Sequence, residues 1–262
     1  AQVAWTSAVM AAGSGGRAVL GMVITGVRRG PPATPGRSQA TMPAMRPIVL
    51  VHGAWHGAWC WYRVVPELAT LGLRAVTPAL PGHVPDARPP ASVTLADYVA
   101  TVVAALDAVG PATLVGHSLA GVVIAAVAEA RPELVTRLVY VAALVPGDGD
   151  SAASLVPPDP ASALARASQP TPDGAAIALD PAAVPALFYA DCPAADVTLA
   201  GQLLRPEPLA PLLAPVALTA GRAGRVPATY IECAADRVVP PPAQQRMALR
   251  CQRRARLDTG HS

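Results

Sequence analysis

The chain has 262 residues, 52% of them hydrophobic and 14% charged, which suits one large α/β domain or two small ones with a sizeable core. Its net charge of +3 gives no argument for a nucleic-acid partner. All 20 basic residues are arginine, so the sequence excludes chemistry that needs lysine, such as Schiff-base formation or a phosphate-binding loop with its lysine.

The four cysteines show neither a redox pair nor a zinc-binding spacing. A disulfide framework is not expected in a chain with a large core. We therefore expect free thiols and a cytoplasmic protein. Secretion stays open because residues 18–27 form an apolar stretch behind an arginine, as in a signal peptide.

Residues 1–45 differ from the rest of the chain in composition and lack a clear hydrophobic period. They are rich in Gly, Ala, Ser and Pro, and the apolar stretch at 18–27 is too short to span a bilayer, so no membrane partner is expected. We expect residues 1–45 to be a poorly ordered leader or extension and residues 46–262 to form the domain. Met42 and Met45 are candidate start residues.

From Arg46 onwards, short apolar runs alternate with helical patterns. Strands are predicted at 47–51, 73–77, 112–115, 134–141, 228–233 and 255–258, and helices at 61–71, 94–109, after Ser118 and at 244–251. This alternation indicates a mostly parallel sheet flanked by crossover helices. Residues 146–227 break the rhythm, and their length predicts an inserted helical cap because long structureless loops are rare.

The stretch Gly116-His117-Ser118-Leu119-Ala120-Gly121 lies between the predicted strand 112–115 and an apolar helix. A serine on a sharp turn from strand to helix is a nucleophile elbow, which holds the hydroxyl above the sheet. The tight turn needs small neighbours, and Ala120 stands where the commonest form of the motif has glycine. Ser118 is therefore the candidate nucleophile.

A serine nucleophile needs a base, and the base needs a third group that orients it. In this architecture the chain order is Ser, then acid, then His, and His261 is the one histidine after Ser118. Asp236 follows the next-to-last predicted strand and is the preferred acid. Asp148 and Asp150, which follow the strand before it, remain the alternative.

An oxyanion hole needs two backbone N–H donors aimed at the developing alkoxide. One candidate is the amide of Leu119, the residue after the nucleophile. The other is the amide of Ala54, in the loop after the first strand, where Gly53 lets the backbone turn without a Cβ clash. His52 is expected to stabilise that loop by hydrogen bonding.

The other histidines have different expected roles. His56 and His117 are candidate substrate-pocket residues because they border the predicted active site, whereas His83 is expected to be structural. None of the five histidines pairs with cysteine or carboxylate at ligand spacing, so no metal site is predicted.

Taken together, these motifs resemble the α/β-hydrolase superfamily and, within it, the methylesterase and hydroxynitrile lyase family. The stretch from Val49 to Trp61, VLVHGAWHGAWCW, is similar to the opening of that family. Four later motifs occur in the family's order: Gly116–Leu119, Tyr140–Ala143, Tyr230–Cys233 with Asp236, and Gly260-His261. The resemblance covers residues 46–262. It implies a serine esterase with a small-molecule substrate, no cofactor, a helical cap over the pocket and often a homodimer.

The sequence departs from the family in two places. The lyase members have a threonine after the first-strand histidine and a lysine near the catalytic histidine, where this chain has Gly53 and Ser262. This difference favours ester hydrolysis over cyanohydrin cleavage. Family members also usually continue into a final helix, so we expect that helix to be missing here and few contacts to hold His261.

The sequence therefore predicts a serine hydrolase that cleaves a carboxylic ester of a small or medium apolar substrate through an acyl-enzyme. The main alternative is a non-catalytic small-molecule binding protein of the same fold, because an intact triad does not exclude it. A carbon–carbon lyase is disfavoured by the missing lysine. Dehalogenase and epoxide hydrolase activities are excluded because they need aspartate at the position of Ser118.

Overall fold

The computed structural model describes residues 47–156 and 162–262. The predicted leader at 1–45 and a short part of the predicted cap, 157–161, lie outside these described residues. Within the two described ranges, no helix combines the length and the apolar character that a membrane crossing requires.

Six parallel strands form the central sheet. They are β1 Ile48–Val51, β2 Ala75–Val76, β3 Ala112–His117, β4 Val135–Val141 and two later strands, Ala228–Cys233 and Arg253–Leu257. In the sheet, β3 lies between β1 and β4, with Gly116 opposite Val51 on one side and Tyr140 on the other. Because all pairings are parallel, the carboxyl ends of the strands meet at one edge.

Helices lie between the strands along the chain, and several of them cover the faces of this sheet. The helices are α1 Val64–Thr70, α2 Leu95–Val109, α3 Ala120–Ala130, α4 Ala152–Leu155, α5 Ala163–Ala167, α6 Val184–Phe188, α7 Ala194–Leu203, α8 Leu209–Leu213 and α9 Pro241–Ala248, with 3₁₀ turns at Ala58–Trp61, Pro90–Ser92 and Ala223–Arg225. Helix α2 starts after Thr94 because the Thr94 hydroxyl accepts the Asp97 N–H while the Asp97 carboxylate accepts the Thr94 N–H, a reciprocal cap. The predicted α/β architecture is confirmed.

The core has two layers, one on each side of the sheet. Alternate residues of β1 point to opposite faces, so Ile48 and Leu50 pack with Leu68 of α1. Val49 and Val51 belong to the other cluster, which includes Leu106 of α2. All four residues of β1 are buried, as expected for a strand covered on both faces.

The segment between β4 and the strand Ala228–Cys233 is not purely helical, which corrects the prediction of a helical cap. Besides α4 to α8 it contains a three-stranded antiparallel sheet, in the order β5 Ser168–Pro170, β6 Ala176–Leu179 and β7 Glu207–Pro208. These strands are two to four residues long, too short for hydrophobic alternation to reveal them. The two last strands of the central sheet are β8 Ala228–Cys233 and β9 Arg253–Leu257.

Several element ends also differ from the predictions. The helix predicted at 61–71 is shorter in the structure, where α1 spans Val64–Thr70, and Trp61 is instead the last residue of a 3₁₀ turn. Helix α9 begins at Pro241 rather than at Gln244, because proline fits the first helical turn, where its missing N–H is not needed. Strand β3 extends two residues beyond its predicted end, as far as His117.

Gly121, in the first turn of α3, offers a test of this packing. A Cβ at this position would lie 2.0 Å from the carbonyl oxygen of Leu144, so Gly121→Ala requires a backbone shift. We expect Gly121→Ala to lower the free energy of unfolding by about 1–3 kcal/mol, the usual cost of overpacking, as measured by urea denaturation.

Gly201 in α7 is the matched control, since a Cβ there meets no atom within 4 Å. Gly201→Ala is expected to raise the free energy of unfolding by roughly 0.5–1 kcal/mol, because alanine is the better helix former. Equal effects of the two substitutions would contradict the described contact between α3 and the segment after β4.

Candidate active site

Ser118 stands on a strained turn between β3 and α3. Its φ is 54°, a left-handed conformation that costs a residue other than glycine roughly 1–3 kcal/mol. Three backbone hydrogen bonds hold it: its N–H donates to Val141 O at 3.2 Å, and its carbonyl accepts the N–H groups of Leu144 at 3.0 Å and Gly121 at 3.1 Å. Hydrogen bonds of Ser118 therefore join the C-terminal ends of β3 and β4.

Small residues around Ser118 are required by close approaches. A Cβ on Gly53 would lie 2.9 Å from the Ser118 Cβ, and one on Gly116 would lie 2.8 Å from the carbonyl oxygen of Ala120. Ala120 itself is fully buried at the start of α3, so the turn accommodates its extra methyl group. The loop after β1 thus packs directly on the elbow.

Asp236 and His261 form a buried pair. The Asp236 Oδ2 atom lies 2.7 Å from His261 Nδ1. Three other donors serve this carboxylate: the N–H groups of Val238 and Val239 at Oδ1, and Gln244 Nε2 at Oδ2. A carboxylate in this setting accepts, so the proton of the imidazole sits on Nδ1. His261 Nε2 is buried and has no hydrogen-bond partner among the described residues.

Contacts from two directions also hold the backbone around His261. The Gly260 N–H donates to Asp191 Oδ2 at 2.6 Å, and the His261 carbonyl lies 2.8 Å from His117 Nε2. The rings of His117 and His261 have centroids 4.6 Å apart, which places His261 against the residue before Ser118. The expectation that few contacts hold His261 is therefore wrong.

The alternative acids lie elsewhere. Asp148 accepts the Leu218 N–H at 2.9 Å, and Asp150 accepts the Gly147 N–H and pairs with Arg250 at 3.0 Å. Neither carboxylate has a described contact with His261. The structure thus brings Asp236, not Asp148 or Asp150, to the imidazole.

The two predicted oxyanion donors have no hydrogen-bond acceptor among the described residues. In the described part of the chain, neither the Leu119 N–H nor the Ala54 N–H donates to another residue. His52 orients the peptide group that carries the Ala54 N–H: its Nε2 accepts the Leu80 N–H at 3.0 Å, so Nδ1 is protonated and donates to the Gly53 carbonyl at 3.0 Å. Both amides therefore remain available for a ligand.

His56 and His117 lie beside the elbow. His56 Nδ1 donates to the Ala54 carbonyl at 2.7 Å, and its Nε2 lies 2.5 Å from the Tyr189 hydroxyl. Both histidines line a cavity of about 60 Å³ that Tyr189 and Ser262 also border. Their assignment to the substrate pocket stays a prediction, and this placement supports it.

Burial keeps the imidazoles of His52, His56 and His117 neutral. Loss of solvation, with smaller contributions in the same direction from His261 and His83, lowers the pKa of His56 to about 4. For the same main reason the pKa values of His52 and His117 lie well below the ordinary histidine value. A neutral imidazole can also ligate a metal; among residues 47–156 and 162–262, no group of three or more His, Cys, Asp and Glu side chains is arranged to hold one.

Aromatic and apolar residues of the cap approach the site without any sequence signal that predicts them. Phe188, at the end of α6, stands edge-on to His261 and to Trp55, with ring centroids 5.5 and 5.8 Å apart. A second cavity, of about 270 Å³, lies between Trp55 and mostly apolar residues of the cap that include Val184 and Leu204. Short helices without a motif give no indication of such neighbours.

Comparison with known proteins identifies relatives of the chain. The sequence profile of the Alpha/beta hydrolase family matches residues 48–262. A putative chloroplastic methylesterase of Arabidopsis thaliana is 29% identical over 78% of this chain, and a carbendazim hydrolyzing esterase of a Nocardioides species is 39% identical over 43% of it. The chain spans less than two thirds of the length of these relatives, 62% and 48% respectively.

The fold is also similar to solved structures. A pyrethroid hydrolase from Sphingobium faniae superimposes with a TM-score of 0.74 at 28% identity, over 83% of this chain and 90% of that one. The predicted fold class and the predicted relationship to methylesterase-like carboxylic ester hydrolases are confirmed.

The buried neutral histidines predict how stability depends on pH. An unfolded histidine has a pKa near 6.5, so between about pH 6.5 and about pH 4 the unfolded chain binds more protons than the folded chain, in which the pKa of His56 is about 4. The free energy of unfolding should therefore fall as pH falls through this window, by on the order of 1 kcal/mol per pH unit for each such histidine.

Denaturant unfolding at successive pH values measures this slope. His56→Asn retains a donor for the Ala54 carbonyl but does not titrate, so its slope should be shallower than that of the wild type by the share of one histidine. Identical slopes in the two proteins would show that the His56 imidazole is protonated as easily in the fold as in water.

Proposed function

Since the chain belongs to the alpha/beta hydrolase family, we propose that it is a serine hydrolase that cleaves a carboxylic ester of a small or medium apolar substrate through an acyl-enzyme. The observation that carries the proposal is the buried 2.7 Å contact between His261 and Asp236, beside a serine held at a φ of 54°. The names of the relatives, two esterases and a pyrethroid hydrolase, support ester hydrolysis.

In the first half of the reaction, Ser118 Oγ attacks the ester carbonyl carbon and His261 Nε2 takes the hydroxyl proton. The Asp236 carboxylate keeps the proton on Nδ1 and stabilises the imidazolium that forms. The carbonyl oxygen becomes an oxyanion, which accepts hydrogen bonds from the Ala54 and Leu119 amides. The tetrahedral intermediate then collapses: the C–O bond to the alcohol breaks, and the imidazolium gives its proton to the departing oxygen.

In the second half, water replaces the alcohol. His261 Nε2 takes a proton from the water as its oxygen attacks the acyl carbon, and the same two amides hold the second oxyanion. Collapse breaks the bond to Ser118 Oγ, which recovers the proton from the imidazolium. The free carboxylic acid leaves, and no group beyond the chain and water takes part.

The surroundings of the site favour an apolar substrate. Phe188 contacts both His261 and Trp55, and the cavity of about 270 Å³ next to Trp55 is bordered mostly by apolar side chains of the cap. Burying an apolar acyl or alcohol group there is favourable by roughly 25 cal/mol for each Å² removed from water. A panel of esters with acyl and alcohol groups of varied length tests this preference.

Lyase chemistry is not supported by the residues present. The sequence has no lysine, and a Cβ on Gly53 would come within 2.9 Å of the Ser118 Cβ, so a threonine at this position requires a shift of the elbow. A non-catalytic ligand-binding role is separated from the proposal by a p-nitrophenyl ester. A burst of p-nitrophenol, matched to the concentration of protein, supports the acyl-enzyme.

Replacement of the nucleophile gives the first test. Ser118→Ala should lower ester turnover on the order of 10⁴-fold or more, because the members of a triad act as a unit. An organophosphate should label Ser118 in the wild type and leave Ser118→Ala unlabelled, as mass spectrometry of the peptides can establish. Ser92→Ala, which changes an exposed serine, is the control; a Ser118→Ala variant that keeps a tenth of wild-type turnover would refute the assignment.

Replacement of the acid gives the second test. Asp236→Asn keeps an oxygen for the N–H groups of Val238 and Val239 but turns an amide donor toward His261, which favours the wrong tautomer. We expect turnover to fall on the order of 10⁴-fold. The free energy of unfolding should change by far less than the rise in activation free energy that this loss of turnover represents. Asp148→Asn should have little effect, since an amide oxygen can still accept the Leu218 N–H; the reverse order of effects would place the acid after β4.

A further inference from the structure

A buried carboxylate of the cap lies at the centre of a polar cluster outside the triad. Glu207, on β7, has no exposed surface. Its Oε1 accepts the Tyr98 hydroxyl at 2.9 Å, and its Oε2 accepts the Trp55 N–H at 2.9 Å and lies 3.1 Å from His83 Nε2. Burying a carboxylate is costly unless its oxygens are hydrogen-bonded, so these partners are what allows Glu207 to remain inside.

The contact with Trp55 reaches the predicted oxyanion loop. Trp55 follows Ala54 directly and has a φ of 62°, a left-handed conformation that a tryptophan holds only when its surroundings impose it. Three hydrogen bonds join Trp55 to the cap. Glu207 accepts the Trp55 N–H, and the Arg205 N–H donates to the Trp55 carbonyl at 3.0 Å. The indole N–H of Trp55 donates to the Ile177 carbonyl at 2.8 Å. Ile177 and Glu207 are themselves paired residues of β6 and β7.

These hydrogen bonds fix the peptide group between Ala54 and Trp55, which follows the Ala54 N–H in the chain. One peptide plane carries both the Ala54 carbonyl and the Trp55 N–H. His56 Nδ1 donates to that carbonyl at 2.7 Å, while Glu207 holds the N–H on the other side. This plane and the one that carries the Ala54 N–H meet at the Ala54 Cα, so holding one of them restricts the torsions of Ala54 and limits how far the other can turn.

We propose that Glu207 is a positioning residue: it acts through Trp55 to aim the Ala54 amide at the oxyanion, so that the cap sheet completes the hole. This inference rests on the proposed ester hydrolysis. It assigns the insertion a part in the chemical step, separate from any contact with substrate. Neither Glu207 nor Tyr98 touches the triad in the described contacts.

Glu207→Gln tests the proposal with little change in shape. The amide has one acceptor oxygen in place of two carboxylate oxygens. If this oxygen faces the Trp55 N–H, the bond to Trp55 is weaker than the bond to a carboxylate, and if the NH₂ group takes that place, the bond to Trp55 is lost. We expect kcat to fall by roughly tenfold to a hundredfold, below the loss of about 10²–10³ for removal of a whole donor. KM should change less than about threefold, because the oxyanion exists only in the transition state.

A second measurement reads the oxyanion directly. A trifluoromethyl ketone adds to Ser118 and forms an anionic hemiketal in the same hole, whereas the carboxylic acid product of the assayed ester does not form this adduct. In Glu207→Gln, the inhibition constant of the ketone should rise by about the factor that kcat falls, with the affinity for the product unchanged. If Glu207 only stabilised the fold, Glu207→Gln would not weaken binding of the ketone relative to binding of the product.

Two further variants keep the test decisive. Glu129→Gln changes another carboxylate that accepts backbone N–H groups, those of Thr219 and Ala223, at the far end of α3 from the elbow; it should lower the melting temperature without lowering kcat. Tyr98→Phe removes one donor from Glu207 but leaves the bond to Trp55, so its loss of kcat should be smaller and in the same direction. If Glu207→Gln does not fold, Tyr98→Phe decides, and an unchanged kcat and ketone affinity there overturns the inference.

Failure of the inference and failure of the proposed function are distinguishable. A wild type without ester turnover and without organophosphate labelling of Ser118 overturns the proposed function, and the inference with it. A wild type that turns over esters, beside a folded Glu207→Gln that keeps its kcat and its affinity for the ketone, overturns the inference alone.

Discussion

The left-handed serine at the end of β3 depends on close approaches that only glycine permits. Gly53 lets the loop after β1 lie against the Ser118 Cβ, and Gly121 lets α3 lie against the carbonyl of Leu144. With both contacts in place, the backbone of Ser118 bonds to Val141 at the end of β4, to Leu144 just after it and to Gly121 in α3. The strain at a φ of 54° is thus balanced by packing that brings three strand ends together, and the site is built on that junction.

The hydrogen-bond directions around this junction are determined by groups that have a single role: a backbone N–H can only donate, and a carboxylate or carbonyl oxygen can only accept. The Leu80 N–H fixes the tautomer of His52, and the carboxylate of Asp236 fixes that of His261. Burial keeps His52 and His56 uncharged, so each holds a carbonyl of the loop after β1 through a neutral N–H. Burial also strengthens the interaction of each dipole with a developing charge, so a buried junction of this kind suits oxyanion chemistry.

Position in the fold can be predicted from the sequence where chain order and strand ends determine it. Ser118, Asp236 and His261 each follow a strand of a parallel sheet, so topology alone places them at one edge, and the structure places Asp236 against His261. The three short strands of the cap carry too few residues for a periodic signal, and Glu207 lies among prolines without any motif. Its contact with Trp55 joins residues 152 positions apart, a relation that spacing and composition do not encode.

The most direct measurement of the central claim is a crystal structure of the protein with Ser118 phosphonylated by an organophosphonate ester. The account predicts that the phosphoryl oxygen lies about 2.7–3.1 Å from both the Ala54 and the Leu119 amide nitrogens, the distances that an oxyanion hole requires. It also predicts that Glu207 still accepts the Trp55 N–H in the adduct. A phosphoryl oxygen that points away from these amides, or an adduct on another serine, would contradict it.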